Sequence, residues 1–242
     1  MLREMATSYG RSPGGYLWAI GEPIAAIALM TYVFSYVFEA PVLGRNFALF
    51  YATGYLPFML FHDVAAKVGT AVRFSRPLLA YPAVAVTDAL IARWVLNVMT
   101  HLAVFLIVMT GIELSQDTGA IYDAGAMINA LAMAALLAAG VGTLNAWLMP
   151  RLPAWERLWA ILSRPLFIVS GVFFVFENLP PALQDIAWYN PLFHVTGEMR
   201  RAVYPAYEGA YVSSGWAYGF ALTCLIVGLM LIRTGKRDIL HS

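Results

Sequence analysis

The stretch AMINALAMAALLAAGVGTLNAWLM, residues 126–149, contains no aspartate, glutamate, lysine or arginine. It is longer than the roughly 20 apolar residues that an α-helix needs to cross the hydrocarbon core of a bilayer. The whole chain of 242 residues shares this character, because 61% of it is hydrophobic, only 12% is charged, and its mean hydropathy is +0.69. These values lie outside the range of ordinary globular domains and predict an integral membrane protein.

Apolar runs of spanning length occur six times and are separated by charged residues. They cover residues 16–38, 47–66, 94–111, 126–149, 159–176 and 215–232. The predicted fold is therefore all-α, with six transmembrane helices forming a single transmembrane domain over residues 1–242. No soluble domain is expected, since the longest connection, residues 177–214, is shorter than most independent domains.

The distribution of basic residues predicts the orientation of these spans. Only Arg45, Arg200 and Arg201 fall in the first, third and fifth connections between spans. The second and fourth connections and the two termini hold many more basic residues. These are Arg3, Arg11, Lys67, Arg73, Arg76, Arg93, Arg151, Arg157, Arg233, Lys236 and Arg237. Since basic residues accumulate on the cytoplasmic side, both termini are expected there.

Several classes of function are excluded or disfavoured by what the sequence lacks. The single cysteine, Cys224, forms no intrachain disulfide or cysteine-based metal cluster, and no metal site is expected. The sequence contains no G-x-x-x-x-G-K-[ST] phosphate-binding loop. Of the ionisable residues near the spans, His101 lies deepest, and we interpret it as a histidine hydrogen-bonded inside the helix bundle rather than as part of a proton relay.

One alternative belongs to a different class, an intramembrane hydrolase. Ser170 and Gly171 in the fifth span, with His194 further on, resemble the serine and histidine pair of rhomboid-type proteases. The pattern departs at Ile168, where the G-x-S-G motif requires glycine, and His194 falls outside a span. A small Ser-Gly pair is more often a contact between packed helices.

The polar stretch YNPLFHVTGEMRRAVYP, residues 189–205, is predicted to contain a short amphipathic helix. Asn190 suits an N-cap and Pro191 a first helical position. A preceding short helix is expected to start at Leu179-Pro180-Pro181 and to end at Ala187. We expect the two helices to form a re-entrant hairpin within residues 177–214, and Glu198 to pair with Arg200 or Arg201, as a gate or as a static ion pair.

Aromatic side chains recur at helical spacing on the second span, with a weaker stripe on the fifth. They present a surface on which sugar rings can stack, although such stripes also pack against neighbouring helices. The candidate channel residues are Tyr32, Tyr36, Phe47, Phe50, Tyr51, Tyr55, Phe58, Phe61, Phe167 and Phe174.

Two cytoplasmic segments carry further patterns. Residues 1–15 suit a helix lying in the membrane interface, because Leu2, Met5 and Tyr9 are spaced at helical intervals between charged residues. Residues 67–93 are long for a simple turn, contain basic residues, and are expected to form a short helix around Pro77–Tyr81.

Three spaced motifs together resemble the membrane subunits of ABC-2-type polysaccharide exporters, in particular the capsule branch. They are Y-G-R-S-x-x-G-Y-L-W-x-x-x-E-P at residues 9–23, R-F-x-x-P-L-L-x-Y-P-x-V at residues 73–84, and N-P-L-x-H-x-x-x-E-x-R-R at residues 190–201. The resemblance implies a homodimeric permease that pairs with two copies of a separate ABC ATPase, which binds ATP and Mg. It implies export of a lipid-linked polysaccharide, a periplasmic adaptor and an outer-membrane partner; no nucleic-acid partner is expected.

The resemblance also implies roles for particular residues. The interface helix and the connection between spans two and three would dock on the ATPase through Arg3, Tyr9, Arg11, Arg73, Arg76, Pro77 and Tyr81. The hairpin between spans five and six would be a periplasmic gate built from Asn190, Pro191, His194, Glu198, Arg200 and Arg201. Export of an O-antigen or a teichoic-acid-like polymer is the alternative within the same family.

Overall fold

A computed structural model describes residues 15–79, 85–116, 118 and 120–234 of the chain. Every regular element in these ranges is a helix, which confirms the all-α prediction for the described residues. The α-helices are α1 (Gly15–Val37), α2 (Phe47–Gly69), α3 (Ala71–Leu79), α4 (Val86–Ser115), α5 (Ala124–Arg151), α6 (Pro153–Ile168), α7 (Pro181–Ala187), α8 (Pro191–Val203) and α9 (Ser214–Thr234), with a 3-10 turn at Phe176–Asn178. The predicted interface helix lies outside the described residues, except for Gly15.

Among the described helices, four are long and apolar enough to cross a membrane. They are Ile20–Val37 within α1, and the whole of α4, α5 and α9. These four coincide with the first, third, fourth and sixth predicted runs. Helix α2, with 23 residues, is about 34 Å long and thus also has the length for a crossing, but it carries the polar residues His62, Asp63 and Lys67.

The run predicted as the fifth span, residues 159–176, is interrupted. Helix α6 begins earlier than predicted and ends at Ile168 after 16 residues, so its length of about 24 Å falls short of the roughly 30 Å hydrocarbon core. Gly171 then adopts a φ of +74°, a left-handed conformation that favours glycine. Hydropathy did not reveal this break, because residues 169–175 are as apolar as a helix would be.

Helix α2 is the central element of the bundle. Asn46 caps it by accepting a hydrogen bond from the Leu49 backbone N–H, and most of the following residues are buried. Helices α1, α4, α5 and α8 all pack against it. Its burial explains why α2 is less apolar than the outer helices: its neighbours are protein side chains, which can satisfy polar groups that lipid cannot.

Glycines allow α5 to approach its two closest neighbours. A Cβ atom at Gly142 would come within 2.7 Å of the Val68 Cβ on α2, and one at Gly140 would collide with the Ala221 carbonyl oxygen on α9. Close backbone approach at small residues is the usual basis of helix association in membranes. Helix α5 is thereby held between α2 and α9.

The connection between α2 and α4 contains its helix earlier than predicted. Helix α3 begins at Ala71, directly after Thr70 ends α2, rather than at Pro77. The reason is packing, because Ala71, Val72 and Ser75 bury one face of α3 in its first turns. Arg93 of α4, which is also buried, donates a hydrogen bond to the Lys67 carbonyl and thereby satisfies the C-terminal end of α2.

Both short helices predicted between the fifth and sixth runs are present. Helix α7 ends at Ala187 as expected. Helix α8 starts at Pro191, and the Asn190 side chain accepts a hydrogen bond from the Leu192 backbone N–H. The N-cap and the first helical position of α8 are therefore confirmed.

Candidate functional site

The non-helical segment 169–175 is held against α8 by hydrogen bonds from side chains. The Asn190 amide donates to the Val169 carbonyl at 2.9 Å, and the Thr196 hydroxyl donates to the Ser170 carbonyl at 3.0 Å. Backbone carbonyls outside a helix need partners when water is excluded, so irregular backbone is tolerated in such places only where protein covers it. Helix α8 supplies that cover for the break after α6.

Arg200 of α8 covers the largest part of segment 169–175. Its guanidinium donates to the carbonyls of Phe174 at 2.7 Å and Val172 at 3.1 Å, and lies over the Phe50 ring of α2, with its central carbon 4.5 Å from the ring centroid. The side chain is almost completely buried, and this burial lowers the pKa of Arg200, while Tyr211, Tyr207, Tyr204 and Glu177 act in the opposite direction. Arg200 thus joins segment 169–175, α8 and α2 at one point.

Glu198 belongs to a separate polar network that joins three helices. One carboxylate oxygen accepts from the Asn129 amide of α5 at 2.9 Å, and the other accepts from Arg201 at 3.0 Å. Asn129 also donates to the Ser214 hydroxyl and accepts from the Tyr218 hydroxyl, both on α9. The expected ion pair of Glu198 is therefore formed with Arg201 and not with Arg200, which faces the opposite way into the core.

His194 is buried and has both ring nitrogens occupied by backbone groups. Nδ1 accepts from the Ser213 backbone N–H at 3.1 Å, so Nε2 carries the proton and donates to the Trp188 carbonyl at 2.8 Å. Burial lowers the pKa of His194 below its ordinary value. Since neither nitrogen is available to Ser170, whose hydroxyl donates to the Leu166 carbonyl, this geometry does not support a serine–histidine hydrolase.

The connection between α8 and α9 folds back over the 3-10 turn. The Tyr211 ring stacks on the Phe176 ring with centroids 4.0 Å apart, and its hydroxyl donates to the Phe193 carbonyl. The Tyr207 hydroxyl donates to the Glu177 carboxylate at 3.0 Å. The segments that precede α7 and follow α8 are thereby held to each other as well as to α8.

Most of the candidate channel aromatics lie inside the single chain. On α2 the rings of Phe50, Tyr51, Tyr55, Phe58 and Phe61 are buried. Their neighbours include aromatic side chains of the fifth run: Phe167 contacts Tyr55 and Phe58, and Phe173 contacts Tyr51. Phe47 and Phe174 are partly buried.

Two other channel candidates are outside this packed cluster. Tyr32 and Tyr36 on α1 are 63% and 76% exposed, and their rings contact each other edge-on at 5.0 Å. The predicted channel residues therefore divide into a buried aromatic face on α2 and an exposed pair on α1.

One of the predicted docking residues, Arg73, makes a defined contact within the chain. Arg73 of α3 donates two hydrogen bonds to Glu156 at the start of α6, at 2.7 and 3.2 Å. The hydrogen bonds raise the pKa of Arg73 and lower that of Glu156. Arg76 and Pro77 are on α3, and the remaining docking candidates, Arg3, Tyr9, Arg11 and Tyr81, lie outside the described residues.

His101 of α4 lies beside Asp63 of α2, with Nε2 and Oδ2 3.4 Å apart. The histidine is thus partnered inside the bundle, as expected, but by a carboxylate on the neighbouring span. Within the described residues, no group of three or more His, Cys, Asp or Glu side chains is arranged to hold a metal ion.

Sequence reasoning missed three contributors to this region. Asn129, Thr196 and Glu156 were not singled out, because each becomes informative only through a partner more than 20 residues away. Asn129 carried the one available signal, since it is an amide in an otherwise apolar span.

Comparison with known proteins gives a match over most of the chain. The profile of the family described as ABC-2 type transporter matches residues 1–204. The polysialic acid transport protein KpsM of Escherichia coli is 28% identical over 241 residues, which cover 100% of this chain and 93% of KpsM.

Two further relatives come from other bacteria. The capsule polysaccharide export inner-membrane protein BexB of Haemophilus influenzae is 24% identical over 239 residues, covering 99% of this chain and 90% of BexB. The capsule polysaccharide export inner-membrane protein CtrC of Neisseria meningitidis is 26% identical over 231 residues, covering 96% of this chain and 86% of CtrC.

Proposed function

The chain belongs to the ABC-2 type transporter family, and on that premise we propose that it is the permease subunit of an ATP-driven exporter that moves a lipid-linked capsular polysaccharide across the inner membrane. The observation that carries this proposal is the full-length similarity to export proteins named for polysialic acid and capsule polysaccharide. Helices of spanning length agree with a multi-pass membrane protein.

The energy for transport would come from a partner. The sequence has no phosphate-binding loop of the Walker type, so ATP and Mg would be bound by two copies of a separate ABC ATPase. A second copy of the permease would complete the membrane part, and a periplasmic adaptor and an outer-membrane protein would continue the route.

The topology we propose has six crossings with both termini in the cytoplasm. Helices α1, α4, α5 and α9 form four of them, and α2 forms a central crossing enclosed by protein. The sixth is composite: α6 enters from the cytoplasmic side, ends at Ile168, and segment 169–175 continues beside α8. The hydrogen bonds from Asn190, Thr196 and Arg200 to four carbonyls of segment 169–175 support this placement within the membrane.

The hairpin of α7 and α8 would act as the periplasmic gate, in a closed state. Asn190, Thr196 and Arg200 hold segment 169–175 against α8. Phe167 at the end of α6 and Phe173 within the segment cover the aromatic face of α2. If segment 169–175 moved away with α6, the rings of Tyr51, Tyr55 and Phe58 would become accessible to a sugar chain. The buried aromatic face would then line the channel only in the open state.

The docking role of Arg73 can be separated from its structural role. Arg73→Glu would place two carboxylates together and break the contact between α3 and α6. The double variant Arg73→Glu with Glu156→Arg restores that ion pair with reversed polarity. If Arg73 contacts the ATPase, the double variant stays uncoupled from ATP hydrolysis, whereas a purely structural role predicts that it recovers.

The decisive experiment is purification of the chain together with any ABC ATPase that binds it, combined with measurement of surface polysaccharide in cells depleted of the chain. We expect a stable complex with ATPase activity and loss of capsule from the cell surface. Tyr51→Ala and Phe58→Ala should abolish display while hydrolysis persists. Absence of an ATPase partner together with normal capsule would refute the proposal; loss of O-antigen or a teichoic-acid-like polymer instead of capsule would select the alternative substrate.

A further inference from the structure

An apolar groove runs along the outer surface of the bundle between α4 and α9, with α5 as its floor. It consists of two cavities of about 290 and 470 Å³ that share the side chains of Trp94 and Leu136, so they are adjacent parts of one groove. The groove opens to the outside, because Ile91 and Ile128 on its margins are 59% and 67% exposed. Its far end, at Tyr218, adjoins the polar network of Asn129 and Glu198.

Residue size explains why the groove exists. Ala132 and Ala139 on α5 lie seven residues apart, hence on one face of the helix, and leave space that larger side chains would fill. Trp94 of α4 reaches across the floor and donates a hydrogen bond from its indole N–H to the Ala135 carbonyl at 2.8 Å. This bond fixes the Trp94 ring at the place where the two cavities meet.

We propose that this groove binds one acyl chain of an anionic phospholipid from the surrounding membrane. Three of the helices that line the groove, α4, α5 and α9, are candidate membrane spans, and α2 contributes only Val68, so hydrocarbon is the medium that meets the groove. From Thr87 to Leu102 the α4 wall extends for about 22 Å at a rise of 1.5 Å per residue, which exceeds the roughly 15 Å depth of one leaflet. A groove without an occupant would leave its lining without dispersion contacts, and a single flexible tail can supply them.

A transmembrane helix is a poorer fit for the same groove. A helix with its side chains is about 10–12 Å wide, and over 22 Å it would occupy roughly two to three times the volume of the two cavities together. A narrow cylinder such as an acyl chain matches both the volume and the length.

The charge at one end of the groove selects the headgroup. Leu225 and Leu229 line the groove from α9, and Arg233 follows four residues later, on the same face and exposed. Under the topology proposed above, this end is cytoplasmic. A guanidinium at the interface binds phosphate oxygens and attracts anionic lipids. An acyl chain that moves from the bilayer into the groove gains no hydrophobic free energy, because both surroundings are apolar. The charge of Arg233 would therefore decide which phospholipid is retained.

The test is native mass spectrometry of the purified full-length chain, with palmitoyl-oleoyl phosphatidylglycerol or phosphatidylcholine added. We expect one phospholipid retained per protomer, with phosphatidylglycerol preferred. The double variant Ala132→Leu with Ala139→Leu should lose it. The matched control Ala103→Leu, at an exposed alanine of α4 that does not line the groove, should retain it. Arg233→Gln should keep the lipid but reduce the preference for phosphatidylglycerol by about fivefold.

A measurement on the unaltered chain protects the test against misfolded variants. A phosphatidylglycerol with a photoreactive acyl chain should crosslink mainly to α4, α5 and α9 at the groove. Crosslinks spread evenly over α1 and α6, equal lipid retention by the groove-filling and control variants, or loss of a dimer instead of a lipid would each overturn the proposal. The last outcome would identify a second copy of the chain as the occupant.

Discussion

Replacing Arg200 by methionine tests whether this side chain fastens the break after α6. Methionine keeps much of the volume but removes the donors to Val172 and Phe174, and each buried carbonyl left without a partner costs about 1–3 kcal/mol. Loss of the contact with the Phe50 ring adds about 2 kcal/mol. Removing a buried charge recovers part of this sum, so we expect a net loss of about 2–4 kcal/mol in the free energy of unfolding.

The neighbouring arginine provides a matched control. Arg201→Met removes an ion pair in which Arg201 is 44% exposed and Glu198 is 8% exposed; because Arg201 is partly solvated and Glu198 keeps the Asn129 amide as a partner, we expect a cost of about 1 kcal/mol, below that of Arg200→Met. For a globular chain of this length, the two values correspond to decreases in melting temperature of about 4–16 °C for Arg200→Met and at most about 4 °C for Arg201→Met. Thermal unfolding followed by circular dichroism in detergent measures both.

A third variant separates charge from geometry. Arg200→Lys retains a cation but cannot present two fixed donors to two carbonyls, so it should resemble Arg200→Met. Equal melting temperatures for Arg200→Met and Arg201→Met would refute the argument. So would full stability of Arg200→Lys, because charge alone would then be sufficient.

Three further predictions follow from the same region and from the helix contacts. Burial lowers the pKa of His194 in the folded chain below its value of about 6.5 in the unfolded chain, so protonation favours unfolding. The melting temperature should therefore fall as pH drops below about 6.5, and His194→Gln should abolish that pH dependence. Asn129→Leu and Glu198→Gln should be non-additive by more than about 0.5 kcal/mol in a double-mutant cycle, and additivity would contradict their direct contact. Gly140→Ala should lower the melting temperature by several degrees because the new Cβ meets α9, whereas Gly111→Ala, with open space around it, should be neutral or stabilising.

The elements that sequence predicted well are those decided by local chemistry. The start of α8 follows from an amide that caps a helix and a proline that suits its first position, both visible at Asn190 and Pro191. The spans at α1, α4, α5 and α9 follow from long stretches with few charges. No knowledge of neighbouring helices is required for either.

The end of α6 was missed because the missing information is tertiary. Residues 169–175 are apolar, and hydropathy does not distinguish a helix from an extended segment whose carbonyls are bonded by another helix. The donors that make the break possible, Thr196 and Arg200, come more than 20 residues later. For the same reason, the sequence did not decide which of the two adjacent arginines would pair with Glu198.

The position of α9 in the chain has a consequence for biosynthesis. Helix α9 is the last described helix to leave the ribosome, yet its Ser214 and Tyr218 complete the polar network around Asn129, and Gly228 lies against the backbone of α5. Until α9 has been made, Asn129 and Glu198 lack two of the groups that shield them from lipid. A nascent chain halted before Ser214 would therefore expose a carboxylate and an amide at the side of the bundle, features by which membrane proteases can recognise an unfinished product.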